Sequence, residues 1–325
     1  YLSHLDALRD VPCTTRCGER VYLRANVGLA QDVEDYATSG AEGIGLYRTE
    51  IFYLMRTSRP TTEELADSYG KVLTATAGQT VIFRTLDLGG EHFPPYLEFA
   101  PEENPVLGLR SLRFQLRRQA LFKEQLKGLL RVAHLGDMRV MFPMISQLDE
   151  LLEAKAILNQ CRDELVEELG RPVPLPKVGM MFEVPAAVLK SELFVSELDF
   201  MAVGSNDLTQ YVLAVDRNNP QVSHLYDPLD PAVLLLVKRL VDTARAAGKP
   251  LELCGEVASD PDGCLVLVGL GLRELSMNAP LIPIVKDRLS HFTLAELENL
   301  ASMALMATSA AAVRRNLQVL APRPS

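Results

Sequence analysis

Short apolar runs alternate along this chain with longer stretches of helical periodicity. Residues 21–26 read as a strand and 32–40 as the helix after it. The run 44–48 comes next, followed by a helix over 61–77 that opens on Thr61-Thr62-Glu63-Glu64, a capping-box pattern. A strand at 81–84 leads into a Gly- and Pro-rich irregular stretch, 88–105, and then two helical segments, 108–118 and 121–135. Residues 139–142 form a fourth strand, with a helix over 148–169. Runs at 176–182, 200–203, 251–253 and 274–277 bring the strands to eight, and the helix 231–247 ends at Gly248.

Strands this short and apolar, each followed by a helix, predict parallel pairing with both faces of the sheet covered. An eightfold alternation over roughly 250 residues is what a TIM barrel, (β/α)8, requires. The expected organisation is a single domain, with 1–19 as lead-in, 20–290 as barrel and 291–325 as extra C-terminal helices. Neither a linker nor an internal repeat divides the chain.

Composition narrows the class. Of 325 residues, 48% are hydrophobic and 23% charged, which suits a folded domain with ample core and excludes disorder. The net charge of −9 disfavours a general nucleic-acid binder but leaves room for a local basic pocket. No run approaches the length needed to span a bilayer; the longest, Cys264 to Leu272, is broken by Gly269 and Gly271. The start, Tyr1-Leu2-Ser3-His4, has neither an initiator Met nor a signal pattern, and reads as a piece of a longer protein. Five scattered cysteines fit a reducing cytoplasm, and the pair Cys13 and Cys17 lacks partners for a zinc site.

Polar residues fall at or just past the carboxyl ends of the expected strands: Asn26, Arg48, Arg84, Glu183, Asn206, Asp207, Cys254 and Ser276. Active sites of this barrel are built on that face, from several strands at once. One such residue alone is a strand-end group in water; the set together argues for a site. Arg48 and Arg84, joined by Arg110 and Arg217 from loops, would form a guanidinium cluster suited to phosphate or carboxylate. Such a cluster repels itself without an anion, which points to a phosphorylated substrate. Glu183 and Asp207 offer oxygen atoms to a divalent ion such as Mg²⁺, and Asn206 a neutral amide. Cys254 is either a buried structural thiol or one able to exchange a proton. No nucleotide-binding glycine loop or serine-hydrolase motif is present.

These residues lie in recognisable runs. Gly43-Ile44-Gly45-Leu46-Tyr47-Arg48-Thr49-Glu50, Arg84-Thr85-Leu86-Asp87-Leu88-Gly89-Gly90 and Asn104-Pro105-Val106-Leu107-Gly108-Leu109-Arg110 resemble signatures of the phosphoenolpyruvate-utilising enzymes. Gly204-Ser205-Asn206-Asp207-Leu208-Thr209-Gln210-Tyr211 and Cys254-Gly255-Glu256 follow in the family's order. Within the family, the first run and Leu213-Ala214-Val215-Asp216-Arg217 look most like Enzyme I of the phosphoenolpyruvate-dependent phosphotransferase system. Arg217-Asn218-Asn219-Pro220 leans towards its nitrogen-regulatory form.

The resemblance implies that phosphoenolpyruvate binds with Mg²⁺ on Glu183 and Asp207, gripped by Arg48, Arg84, Arg110, Arg217 and Asn206. The phosphoryl group passes to a histidine, and Cys254 protonates the enolate to pyruvate. The family's phosphohistidine sits in a Gly-rich Thr-Ser-His motif on a separate N-terminal domain, which this chain lacks. Ser3-His4, Ser223-His224 and Ser290-His291 have no such setting. Further implied partners are a small histidine-containing carrier protein and a second copy in a homodimer, with neither nucleic acid nor membrane. His92 replaces the family's usual Lys, and Val257 and Ser259 replace the usual Met and Gly. The competing readings are a phosphoenolpyruvate-sensing regulatory domain, a fragment of pyruvate phosphate dikinase or phosphoenolpyruvate synthase, and a metal-dependent aldolase or lyase.

Overall fold

The computed structural model describes residues 2–28, 30–89 and 93–321. Eight parallel strands close into a barrel in chain order: β1 (Tyr22–Val27), β2 (Ile44–Arg48), β3 (Val81–Arg84), β4 (Met138–Phe142), β5 (Lys177–Phe182), β6 (Phe200–Gly204), β7 (Leu251–Cys254) and β8 (Glu274–Asn278). β8 pairs with β1 to complete the ring. The expected (β/α)8 barrel is therefore observed, with strand bounds within two residues of those read from the sequence.

Successive residues of a strand face opposite sides, and here the two sides differ in chemistry. Outward side chains such as Phe83, Val140, Phe142, Phe182 and Leu253 pack into the helical layer and are fully buried. Each large apolar side chain taken out of water contributes roughly 2 kcal/mol. The inward set forms a second, smaller cluster of Leu46, Ile82, Met141, Met181, Phe200, Ala202 and Cys254. An ionic group is built on buried Arg24, which meets buried Glu252 at 2.6 Å and partly exposed Glu274 at 2.5 Å.

The helices follow their signals closely. Thr61 accepts from the Glu64 amide and Glu64 accepts from the Thr61 amide, so the helix Thr62–Ala75 starts on the expected capping box. Helices Leu148–Leu169 and Pro231–Ala247 match the expected bounds, the latter ending at Gly248 in the left-handed region, φ 62°. The segment expected over 108–118 begins only at Ser111, after a separate 3₁₀ turn from Pro105 to Leu107. The lead-in contains a helix, Leu2–Leu8, whose His4 meets Asp287 of the helix Ile282–Ser290 at 2.9 Å. Two further helices, Leu294–Leu305 and Ala310–Leu320, close the chain. All five cysteines are free.

Candidate active site

Arg48 and Arg84 are the last residues of β2 and β3, and they are partners in the register between those strands. Cys254 ends β7 opposite Gly204, the last residue of β6. Glu183 directly follows β5. Asn206 and Asp207 occupy the first turn of the helix Ser205–Leu213, which begins as soon as β6 stops. Arg110 stands just before the helix Ser111–Arg117, and Arg217 lies in the loop after Ala214. Eight of the ten residues singled out by the sequence line one cavity of about 430 Å³ at the carboxyl ends of the strands. Asn26 and Ser276 are not among its walls; they hydrogen-bond to each other at 2.6 Å.

The guanidinium groups do not face one another uncompensated, as the sequence suggested they would. Arg84 binds Glu50 at 2.6 Å and Asp87 at 3.0 Å. Arg110 binds the other oxygen of Asp87 at 3.0 Å and Asp207 at 3.1 Å, and donates to the Tyr211 hydroxyl at 3.2 Å. Arg217 approaches Asp207 at 3.7 Å. Burial alone would raise the Asp87 carboxyl, but Arg84 and Arg110 more than offset it and hold it well below the usual range. Arg48 is different: it lines the cavity and makes no hydrogen bond or ion pair with a described residue. Glu50, Asp87 and Tyr211 were within the quoted motifs, yet nothing in the sequence assigned them a role. Glu50 opens the short helix Glu50–Leu54 directly behind Arg48, which turns its carboxylate back towards Arg84.

The acidic residues divide by environment. Glu183 is 1% exposed and accepts from the Met144 amide at 2.7 Å. Burial, then the like charges of Asp207 and Asp87, push its carboxyl well above the ordinary value. Asp207 Oδ1 is buried without a hydrogen-bond partner. Cys254 is 3% exposed, its Sγ within 3.6 Å of the Val203 carbonyl. Burial, reinforced by Glu252, raises the thiol far above its usual value, so the group stands as S–H.

Backbone strain collects at the same mouth. Among the described residues, four non-glycine residues have positive φ, and three of them are here: Ser111 (52°), Met144 (58°) and Ala214 (53°). Each conformation costs of order 1 kcal/mol. Met144 thereby aims its amide at Glu183, while Ser111 sets its hydroxyl on Asp87. Next to Cys254, a Cβ on Gly255 would lie 1.9 Å from Ser205 Oγ, so only glycine lets the β7 loop pack on the β6 loop.

The family model of the phosphoenolpyruvate-binding domain of phosphoenolpyruvate-utilising enzymes matches residues 3–294. The chain belongs to this family. Phosphoenolpyruvate-protein phosphotransferase of Haemophilus influenzae is 40% identical over 96% of the chain and 54% of its own length. Those of Geobacillus stearothermophilus and Bacillus subtilis are 44% and 40% identical over 82% and 90% of the chain, and 46% and 51% of their own lengths. The chain thus spans about half the length of the curated relatives it matches.

For a phosphoenolpyruvate-utilising domain, the donor set suits a hard cation bound together with substrate. Among the described residues, no group of three or more His, Cys, Asp or Glu is arranged to hold a metal unaided. Two carboxylates are present, one with an unsatisfied buried oxygen and the other pushed above its ordinary value by burial and by acidic neighbours, a penalty that a cation would relieve. Mg²⁺ commonly takes that number from protein and the rest from water and ligand oxygens. The family's lysine position, His92 in this chain, lies outside the described residues.

Proposed function

We propose that this chain binds phosphoenolpyruvate at the barrel mouth and forms the catalytic domain of a phosphoenolpyruvate-protein phosphotransferase, a transferase that acts with Mg²⁺. The observation that carries the reading is the shared cavity: Arg48, Arg84, Arg110, Arg217, Asn206, Glu183, Asp207 and Cys254 line one space. Arg48, Arg84 and Arg217 grip the phosphate together with Asn206, and Arg110 completes the cationic wall. Mg²⁺, held by Glu183 and Asp207, would neutralise charge on the phosphate and on the enolate oxygen. Phosphoryl transfer relies on positioning and charge stabilisation of this kind.

In the transfer, the phosphorus bonds to a histidine nitrogen as its bond to the enol oxygen breaks. The bonding electrons stay with the enolate, whose methylene carbon takes the proton of the Cys254 thiol, giving pyruvate. A thiol held as S–H in an apolar pocket suits the role of acid. The resemblance to Enzyme I assigns the acceptor histidine to a separate domain, which relays the group to a small histidine-containing carrier protein. Barrel and C-terminal helices act as one domain, expected as a homodimer in the cytoplasm. Among the described residues no helix is long and apolar enough to cross a membrane.

Calorimetric titration with phosphoenolpyruvate tests the reading. Binding should require Mg²⁺, and chelation or Glu183→Gln should weaken it by at least about tenfold, the loss of one charge-assisted contact. Absence of Mg²⁺-dependent binding refutes the reading. Sedimentation velocity tests the homodimer.

A further inference from the structure

The last helix, Ala310–Leu320, lies beyond the family match, which ends at residue 294, and outside the barrel. Its Arg314 nevertheless reaches two loops of the candidate site. Nε and Nη2 hold both oxygens of Asp227 at 2.6 and 2.8 Å, and Nη1 holds Asp260 at 3.0 Å. Asp227 belongs to the loop after β6 and the helix Ser205–Leu213, which carries Arg217. Asp260 belongs to the loop after β7, which starts at Cys254. Each carboxylate is also fixed within its own loop, Asp227 by the Leu229 amide at 2.9 Å and Asp260 by the Asp262 amide at 3.0 Å. A pull on either carboxylate therefore reaches backbone.

The loops meet again at the cavity. The Tyr226 hydroxyl donates to the Asn206 carbonyl at 3.1 Å, and the Glu256 amide donates to Asn206 Oδ1 at 3.1 Å. Asn206 is thus held by the residue before Asp227 on one side and by the turn after Cys254 on the other. An exposed ion pair by itself contributes little to stability. One planar guanidinium bridging two loops does something else: it fixes their spacing.

We propose that Arg314 is a positioning residue, tying the β6 loop to the β7 loop and so setting the distance between the Asn206 and Arg217 side chains and the Cys254 thiol. The proposal rests on the function given above for those residues. Arg84 and Arg110 take their places from Glu50, Asp87 and Asp207, Arg48 pairs with none of the described residues, and the partners of Arg314 are Asp227 and Asp260 instead. Losing the tie should therefore leave ligand capture largely to those three arginines, with a small loss through Asn206 and Arg217, and impair proton delivery more.

Proton delivery can be read in the full chain by running it backwards. With Mg²⁺ and pyruvate in D₂O, the Cys254 thiol first gives its proton to solvent; the thiolate then takes a methyl proton as the C–H bond breaks and its electrons form the enolate, and the S–H so formed exchanges with solvent. The S–D then returns deuterium to carbon. In Arg314→Met, deuterium incorporation at saturating pyruvate should fall about tenfold, the scale of a sub-ångström misplacement, while the Kd for phosphoenolpyruvate changes less than about threefold. Arg314→Lys should recover part of the rate. Asp227→Asn and Asp260→Asn should each reproduce the loss and add little to Arg314→Met. Amide exchange without ligand should quicken in 214–230 and 255–262 and stay unchanged elsewhere in the barrel.

Wild-type incorporation and loop protection in Arg314→Met overturn the proposal. So does a parallel fall in affinity, rate and protection throughout the molecule, the mark of a merely structural role. If the wild-type chain neither binds phosphoenolpyruvate nor deuterates pyruvate, the function above fails, and amide exchange in the two loops still decides whether Arg314 ties them.

Discussion

Arg48 and Arg84 sit side by side at the ends of neighbouring strands, yet their surroundings predict opposite consequences of removal. Arg48 has no partner among the described residues, so Arg48→Ala should leave the melting temperature unchanged and weaken phosphoenolpyruvate binding by about 10- to 100-fold, the range of a charge-assisted contact. Arg84→Ala strands Glu50 in a buried site, leaves Asp87 to Arg110 alone among the arginines, and should cost about 3 kcal/mol of stability besides. Calorimetry and urea denaturation on the same two variants separate the effects. Asp87 supplies a pH signature. Its carboxyl is depressed in the folded chain, so its stabilisation is complete above the unfolded value of 3.8 and is lost as pH falls through the folded value. The stability gap between wild type and Asp87→Asn should hold from about pH 8 to about pH 4 and close below that. The site residues themselves were readable because each terminates an apolar strand, which fixes the face it joins. Their counter-ions were not. Glu50 and Asp87 stand two and three residues past those ends, where only the path of the following turn decides whether a carboxylate meets water or an arginine.

At the scale of elements, the strands were legible because a parallel strand buried on both faces leaves a short apolar run between polar punctuation. Helices with a capping box or a terminal glycine were placed equally well. Thr61→Ala, which removes one half of the box at the start of Thr62–Ala75, should cost about 1 kcal/mol, measured by urea denaturation, with phosphoenolpyruvate affinity unchanged. Short elements escaped: Leu2–Leu8, Glu50–Leu54 and Pro185–Leu189 are too brief for a helical period to declare itself. The late start of Ser111–Arg117 has a different cause. Ser111 takes a left-handed backbone so that its amide can reach the Leu88 carbonyl and its hydroxyl Asp87, and that tertiary demand sets the helix boundary.

Over the whole molecule, a ring of eight strands brings side chains more than two hundred residues apart to one mouth, and Cys254 shows what that arrangement provides. Its sulfur is shielded by the lumen cluster and kept protonated there. Cys254→Ala should abolish deuterium incorporation into pyruvate while phosphoenolpyruvate affinity stays within about threefold of wild type, since a neutral thiol contributes little to holding an anion. The walls have a further property. Arg48, Arg84, Arg110 and Arg217 share the cavity with Glu50, Asp87, Glu183, Asp207 and Asp216, and the chain as a whole is negative. Such a mouth exerts no long-range pull on a multiply charged anion. Encounter then proceeds by ordinary diffusion, and stopped-flow capture rates should change only slightly as sodium chloride is raised, leaving selectivity to what happens after the ligand has arrived.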